Sequence, residues 1–120
     1  MMQKAKIKIK EFNGNQPAEG KYFTDGKKHC FVFPYEKDFF KFELSSDKIR
    51  VVRTGEHEYE MNLIRGENTK MAMTKPFRGF FPIATHALEV KMRENGVTAF
   101  AEYYLDEENC RRLEIECEIL

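Results

Sequence analysis

Histidine, carboxylate, serine and cysteine side chains are the groups of this 120-residue chain that could act as bases, nucleophiles or metal ligands. The densest cluster is Glu56, His57, Glu58 and Glu60, which has the composition of an acid–base site. On a strand, however, successive side chains point to opposite faces, so Glu58 and Glu60 fall on the solvated face. The cluster is therefore interpreted as the wet face of a strand, and no catalytic residue is predicted.

The other signatures of catalysis and metal binding are missing from the sequence. The histidines His29, His57 and His86 lack ligand spacing such as His-Glu-x-x-His, so no metal site is predicted. The cysteines are odd in number and include no Cys-x-x-Cys pair, which favours reduced thiols. No Gly-x-Ser-x-Gly motif and no glycine-rich phosphate loop is present. The expectation is a cytoplasmic protein without a cofactor, and it leans away from an enzyme.

The charge balance bears on partners. Twenty basic and twenty acidic residues cancel, whereas a non-specific nucleic-acid binder needs a basic excess to displace counterions. The aromatic and basic segment from Lys75 to Phe81 has the chemistry of a single-strand platform, but the neutral total argues against nucleic acid. The N-terminal segment is lysine-rich without an apolar h-region, and no apolar run approaches the ~20 residues that cross a bilayer. Neither a signal peptide nor a membrane partner is predicted.

Two-residue alternation of apolar and charged side chains sets the expected elements. It is cleanest in the segments 4–10 and 113–119, and it also favours a strand over a helix at 84–93. Turn signals recur at roughly 8–12-residue spacing, as in an all-β meander. The sequence predicts a single domain over residues 1–120, an antiparallel barrel of about eight to ten strands that is mostly up-and-down.

The turn signals also predict three hairpin registers. Each follows from a loop that keeps the apolar side chains of both strands on one face. The predicted loops are 95–96, 106–110 and 54–56, and the pairs flanking them are Glu94 with Val97, Leu105 with Arg111, and Arg53 with His57. The last pair places both side chains on the inward face at the rim.

The two ends of the chain carry complementary charges. Lys4, Lys6, Lys8 and Lys10 face outward on the first strand, and the glutamates at 114, 116 and 118 do so on the last. If an even-numbered meander closes on itself, its terminal strands become antiparallel neighbours with opposite charges side by side. Closure also removes sheet edges that recruit other chains.

Four segments resemble a known family. They are Gly20-Lys21-Tyr22, the run 47–55, the strand 96–105, and Thr74–Gly79, which is similar to a Thr-Pro-aromatic-Gly element with Lys75 and Arg78 interposed. With these segments, most of the chain resembles the YwiB-like family of uncharacterised small bacterial proteins. The resemblance implies a calycin-like, that is lipocalin-like, β-barrel, and it implies no particular activity.

The aromatic content leaves two functions open. In a barrel of about eight strands, side chains fill the interior or leave room for one small ligand. The first expectation is non-catalytic binding of a small amphipathic or anionic ligand in or at the mouth of the barrel, with Arg53, His57, Tyr35 and Phe77 as candidate binding residues. Alternatively, Arg53 stacks on an aromatic ring such as Tyr35 or bonds a glutamate. In the second function, a filled barrel presents the loop Thr74–Ile83 to a protein partner.

Overall fold

The computed structural model describes residues 2–12, 16–105 and 108–120. The strands are β1 (Gln3–Ile9), β2 (Ala18–Asp25), β3 (Lys28–Tyr35), β4 (Asp38–Ser45), β5 (Lys48–Thr54), β6 (Glu58–Ile64), β7 (Asn68–Lys75), β8 (Gly79–Arg93), β9 (Gly96–Tyr104) and β10 (Cys110–Ile119). Each pairs antiparallel with its sequence neighbours, and β1 also pairs with β10, so the sheet closes into a barrel. The prediction of an all-β, up-and-down antiparallel barrel is confirmed.

Loops after odd-numbered strands lie at one end of the barrel, which we call the mouth. Loops after even-numbered strands, together with the start of β1 and the end of β10, lie at the opposite end, the base. Among the residues described, none belongs to a helix long and apolar enough to cross a membrane.

The pairing of the terminal strands is as predicted from their charges. Lys6 faces Glu118 and Lys8 faces Glu116 across the β1–β10 seam. At the mouth end of the same seam, the Lys10 Nζ lies 3.3 Å from a Glu114 carboxylate oxygen. The charge pattern therefore identified the strands that close the barrel.

The β8–β9 register differs from the prediction. Arg93, not Glu94, is the last β8 residue before the turn, and it faces Gly96, so the turn is 94–95 rather than 95–96. Gly96 lies inside β9, at a position where a Cβ atom would clash with the carbonyl oxygen of Cys117 on β10. The glycine serves the close approach of two strands instead of the turn.

The β9–β10 register is also shifted by one residue along each strand. Arg111 faces Tyr103 instead of Leu105, and the five-residue loop is 105–109 rather than 106–110. Leu105 leaves the strand and packs against the end of the core. The loop keeps an odd length, so the predicted inward face of both strands is preserved; residues 106 and 107 lie outside the described residues.

The third predicted register, between β5 and β6, is wrong for a different reason. Arg53 faces Tyr59 rather than His57, because the loop comprises residues 55–57 instead of 54–56. This loop folds around a buried carboxylate that the alternation alone did not reveal.

Phenylalanine rings occupy the interior on the β3–β4 side of the barrel. Phe31, Phe33, Phe40 and Phe42 are fully buried and face inward from neighbouring strands. The ring centroids lie 5.1 Å apart for Phe31 and Phe42, and 5.5 Å apart for Phe33 and Phe40. Such separations are within the range of favourable aromatic contacts, so these rings form a continuous core.

Strand β8 extends past the end of its neighbour β9. Pairing between the two strands begins where Ala84 faces Tyr104, the last residue of β9. The earlier part of β8, from Gly79, pairs with β7 on its other side. The β7–β8 hairpin therefore projects beyond the end of β9 at the mouth.

Candidate functional site

Arg53 is held within the barrel mouth by a carboxylate and two aromatic rings. Its Nε donates a hydrogen bond of 2.7 Å to Asp38 Oδ2. Its Cζ atom lies 5.4 Å from the ring centroid of Tyr35 and 5.2 Å from that of Phe40. The Arg53 side chain is 12% exposed. The stacking on Tyr35, considered above as an alternative, is present, and the anionic partner is an aspartate rather than a glutamate.

Asp38 organises this part of the mouth, although sequence reasoning missed it. Its carboxylate is 2% exposed and accepts hydrogen bonds from the backbone N–H groups of Glu56, at 2.6 Å, and His57, at 3.2 Å. Gly55 has a φ of 130°, and a Cβ atom there would clash with the Asp38 side chain. The β5–β6 loop is thus shaped around the carboxylate, which explains the shifted register.

The hydrogen bonds to Asp38 decide its protonation. Burial by itself raises the pKa of this carboxyl, but hydrogen bonds from Arg53 and from two backbone N–H groups outweigh burial and lower the pKa below its usual value. The carboxylate therefore stays charged and compensates the charge of Arg53. The sequence contained a signal for this residue, since Asp38 shares the parity of the inward-facing Phe40 and Phe42.

The four candidate binding residues do not form one group. His57 lies in the β5–β6 loop with a half-exposed side chain, and its Nδ1 is 3.5 Å from Asp38 Oδ2. Arg53 and His57 therefore contact Asp38, and Tyr35 faces Asp38 across the β3–β4 pair. Phe77 lies instead in the β7–β8 loop, where its ring meets that of Phe81 edge-on at 6.2 Å.

A residue that follows β1 covers the Asp38 side of the mouth. The ring of Phe12 stacks on Phe40 with centroids 4.7 Å apart, and it contacts Tyr35 at 5.5 Å. Beside it, burial raises the pKa of Glu11, an effect that Arg111 partly opposes. Burial also raises the pKa of Tyr59, although Arg53 acts in the other direction. This side is closed by packed rings and paired charges.

A groove opens on the other side of the mouth, where β8 continues past the end of β9. It has a volume of about 610 Å³ and is lined mainly by apolar side chains. We call it the mouth groove, and its lining residues are Asn68, Pro82, Ile83, Ala84, His86, Tyr104 and Leu105. The volume is within the ~300–1,000 Å³ typical of small-molecule sites.

A β-bulge helps to shape the mouth groove. The β8–β9 register shifts between Thr85 and Ala87, so His86 is an extra residue in β8. The His86 ring meets Tyr104 edge-on, with centroids 4.8 Å apart. The sequence carried a signal for the bulge, because the large apolar residues Ile83 and Leu88, which are both buried, stand at odd and even positions.

The titratable groups in the described part of the chain offer no metal centre. No group of three or more His, Cys, Asp or Glu side chains there is arranged to hold a metal ion. The thiols of Cys30, Cys110 and Cys117 are free, and burial raises the pKa of Cys117 to about 12.

Comparison with known proteins finds one kind of similarity, which is structural. Neither protein-family models nor curated proteins match this sequence. The fold is similar to the crystal structure of the YwiB protein from Bacillus subtilis, with a TM-score of 0.72 and 16% sequence identity. The match covers 99% of this chain and 89% of that one. The barrel is thus a YwiB-like fold.

Proposed function

We propose that this protein binds a small amphipathic ligand, without catalysing a reaction, and that the ligand occupies the mouth groove. The observation that carries the proposal is the groove itself, an apolar concavity of about 610 Å³ at the mouth. A concave apolar surface with few polar groups is the usual form of a small-molecule site.

The lining suggests how such a ligand is oriented. Pro82, Ala84 and Leu105 offer an apolar surface to a hydrocarbon or aromatic body. The side chains of Asn68 and His86 supply hydrogen-bonding groups for a polar end. Arg53 has a different role in this proposal, since its guanidinium is already paired with Asp38 and stabilises the closed side of the mouth.

The family and the cellular location of the protein are part of the same proposal. We infer a member of the YwiB-like family with a calycin-like barrel, supported by the fold similarity and by the segments resembling that family. We also infer a cytoplasmic location, which three free thiols support, because oxidising compartments favour disulfides.

Native mass spectrometry and thermal unfolding test the proposal, with dodecanoate as the probe. A ligand that binds only the folded state stabilises it by mass action and so raises the melting temperature. At a ligand concentration of 100 times Kd, the free energy of unfolding rises by about 2.7 kcal/mol. We expect a rise for the wild type and a one-to-one complex in the mass spectrum.

Two alanines provide a blocked variant and its matched control. Ala84 and Ala72 are both half-buried on the outer face of the β7–β8 hairpin, but only Ala84 lines the mouth groove. Ala84→Phe should abolish the dodecanoate shift, and Ala72→Phe should retain it. An equal shift in both variants, or no shift and no complex with the wild type, contradicts the proposal.

A further inference from the structure

The tip of the β7–β8 hairpin exposes aromatic rings that lie outside the mouth groove. Phe80 is 74% exposed and Phe77 is 57% exposed, whereas most large apolar side chains of the described chain are buried. The Nζ of Lys70 lies 6.0 Å from the ring centroid of Phe80. Arg78, between the two rings in sequence, is exposed. Lys70 and Phe80 lie on the outer face of the hairpin, and Phe77 lies in its loop, edge-on to the inward-facing Phe81. We call Lys70, Phe77, Arg78 and Phe80, at the end of the hairpin, the tip surface.

The charge of this hairpin differs from that of the whole protein. The segment 68–88 contains Lys70, Lys75 and Arg78 and no aspartate or glutamate, although the chain as a whole is neutral. Lys75 is neutralised by Glu58, whose carboxylate lies 3.3 Å from its Nζ. Lys70 and Arg78 have no ion-pair partner in the described part of the chain.

From these two features we infer that the tip surface docks a protein segment that presents carboxylates beside one or two apolar side chains. Exposed aromatic rings supply contact area at low entropic cost, and Phe and Arg are enriched at protein interfaces. Lys70 and Arg78, which have no ion-pair partner among the described residues, fit a partner of opposite charge, which they steer and orient.

The same features argue against nucleic acid as the occupant. Sustained binding to a phosphate backbone requires many cationic contacts, and the affinity depends on their number. Within the described residues, the tip surface offers two cations without an ion-pair partner, on a protein with no net charge. An acidic peptide needs only a few charge pairs around an apolar anchor.

Selection from a phage-displayed random peptide library on the immobilised full-length protein tests the inference. We expect enrichment of peptides that combine aspartate or glutamate with apolar residues. Their affinity for Phe77→Ser with Phe80→Ser should fall about tenfold or more. Lys70→Glu with Arg78→Glu should weaken binding comparably, and added salt should weaken wild-type binding.

The matched control reverses two cations near the base end of β8. Lys91→Glu with Arg93→Glu changes the net charge of the protein by the same amount, but far from the tip surface, and we expect peptide affinity within about twofold of the wild type. Thermal unfolding of each variant verifies that it folds.

Three results overturn the inference. One is a selection without enrichment, and another is peptides that bind the tip variants as well as the wild type. The third is that the protein binds poly(U) RNA or phosphatidylserine vesicles instead of acidic peptides, and that Lys70→Glu with Arg78→Glu removes this binding. The Ala84→Phe variant separates this inference from the small-ligand proposal, since it blocks the mouth groove and leaves the tip surface intact.

Discussion

The β3–β4 side of the barrel and the β7–β8 hairpin use the same residue type in opposite ways. The inward-facing phenylalanine rings of β3 and β4 are buried against each other and against the stacked Arg53, whereas Phe39, on the outer face of β4, is 61% exposed. On the hairpin, Phe80 lies on the outer face of β8 and Phe77 lies in the β7–β8 loop, and both rings are exposed. The face of the sheet on which a ring lies, rather than the residue type, therefore decides which aromatics stabilise the barrel and which remain free to bind.

The sharpest test of this comparison removes one ring from each region. Phe42→Ala should cost about 3–5 kcal/mol of unfolding free energy, because it leaves a cavity among packed rings. Phe80→Ala should change the unfolding free energy by less than about 0.5 kcal/mol, as for other exposed positions. Urea denaturation of both variants measures the difference, and equal losses would remove the distinction between the regions.

The second test concerns the charges that close the Asp38 side of the mouth. Asp38→Asn leaves the guanidinium of Arg53 without its anion, so we expect a loss of stability smaller than that of Phe42→Ala and larger than that of Phe80→Ala. Adding Arg53→Met should recover part of the loss, because the second change removes the uncompensated charge. If the double variant is as unstable as the sum of the two single variants, the residues do not act as a pair.

The pH dependence of the same pair has a defined sign. The folded-state pKa of Asp38 lies below the unfolded value of about 3.9, so the folded protein holds this proton less tightly. The contribution of Asp38 is therefore fully present above the unfolded pKa and is lost as the pH falls through the folded pKa. The stability gap between wild type and Asp38→Asn should narrow on acidification from about pH 5 to pH 3. A gap that widens on acidification would reverse the assigned direction.

The smallest expected effect compares lysines that face a glutamate across two strands with a lysine that does not. Lys6→Glu with Lys8→Glu places like charges opposite each other at the β1–β10 seam and should cost about 0.2–1 kcal/mol per pair. Glu116→Lys with Glu118→Lys in the same chain should restore part of this loss. Lys70→Glu on the hairpin should have almost no effect on stability. Denaturant unfolding at low salt measures the cycle, and zero coupling at the seam would contradict the pairing.

Much of the fold followed from the sequence, but the three loops did not. Alternation identified the strands and their inward faces, and the lysine and glutamate ladders identified the seam. Each hairpin loop is nevertheless displaced by one residue, which changes the pairing partners by two, because tertiary contacts placed the turns. Gly96 is required by the approach of β10, and the β5–β6 loop by the carboxylate of Asp38.

The candidate site was predicted less well, again for a physical reason. The sequence drew attention to Arg53 as an available cation, but an aspartate 15 positions earlier neutralises it in three dimensions. The mouth groove arises from unequal lengths of β8 and β9 and from the bulge at His86. Strand lengths and bulges depend on pairing across the sheet, which periodicity within one strand does not report.

A titration of the 15N-labelled protein with dodecanoate, followed by two-dimensional amide NMR spectra, tests the central claim most directly. We predict saturable shifts of the amides of Ile83, Ala84, His86 and Tyr104, which lie at the mouth groove. The amides of Phe31, Phe33, Phe40 and Phe42 should stay in place. Shifts confined to the phenylalanine core, or to residues around Arg53, would contradict the account and place the binding site on the closed side of the barrel.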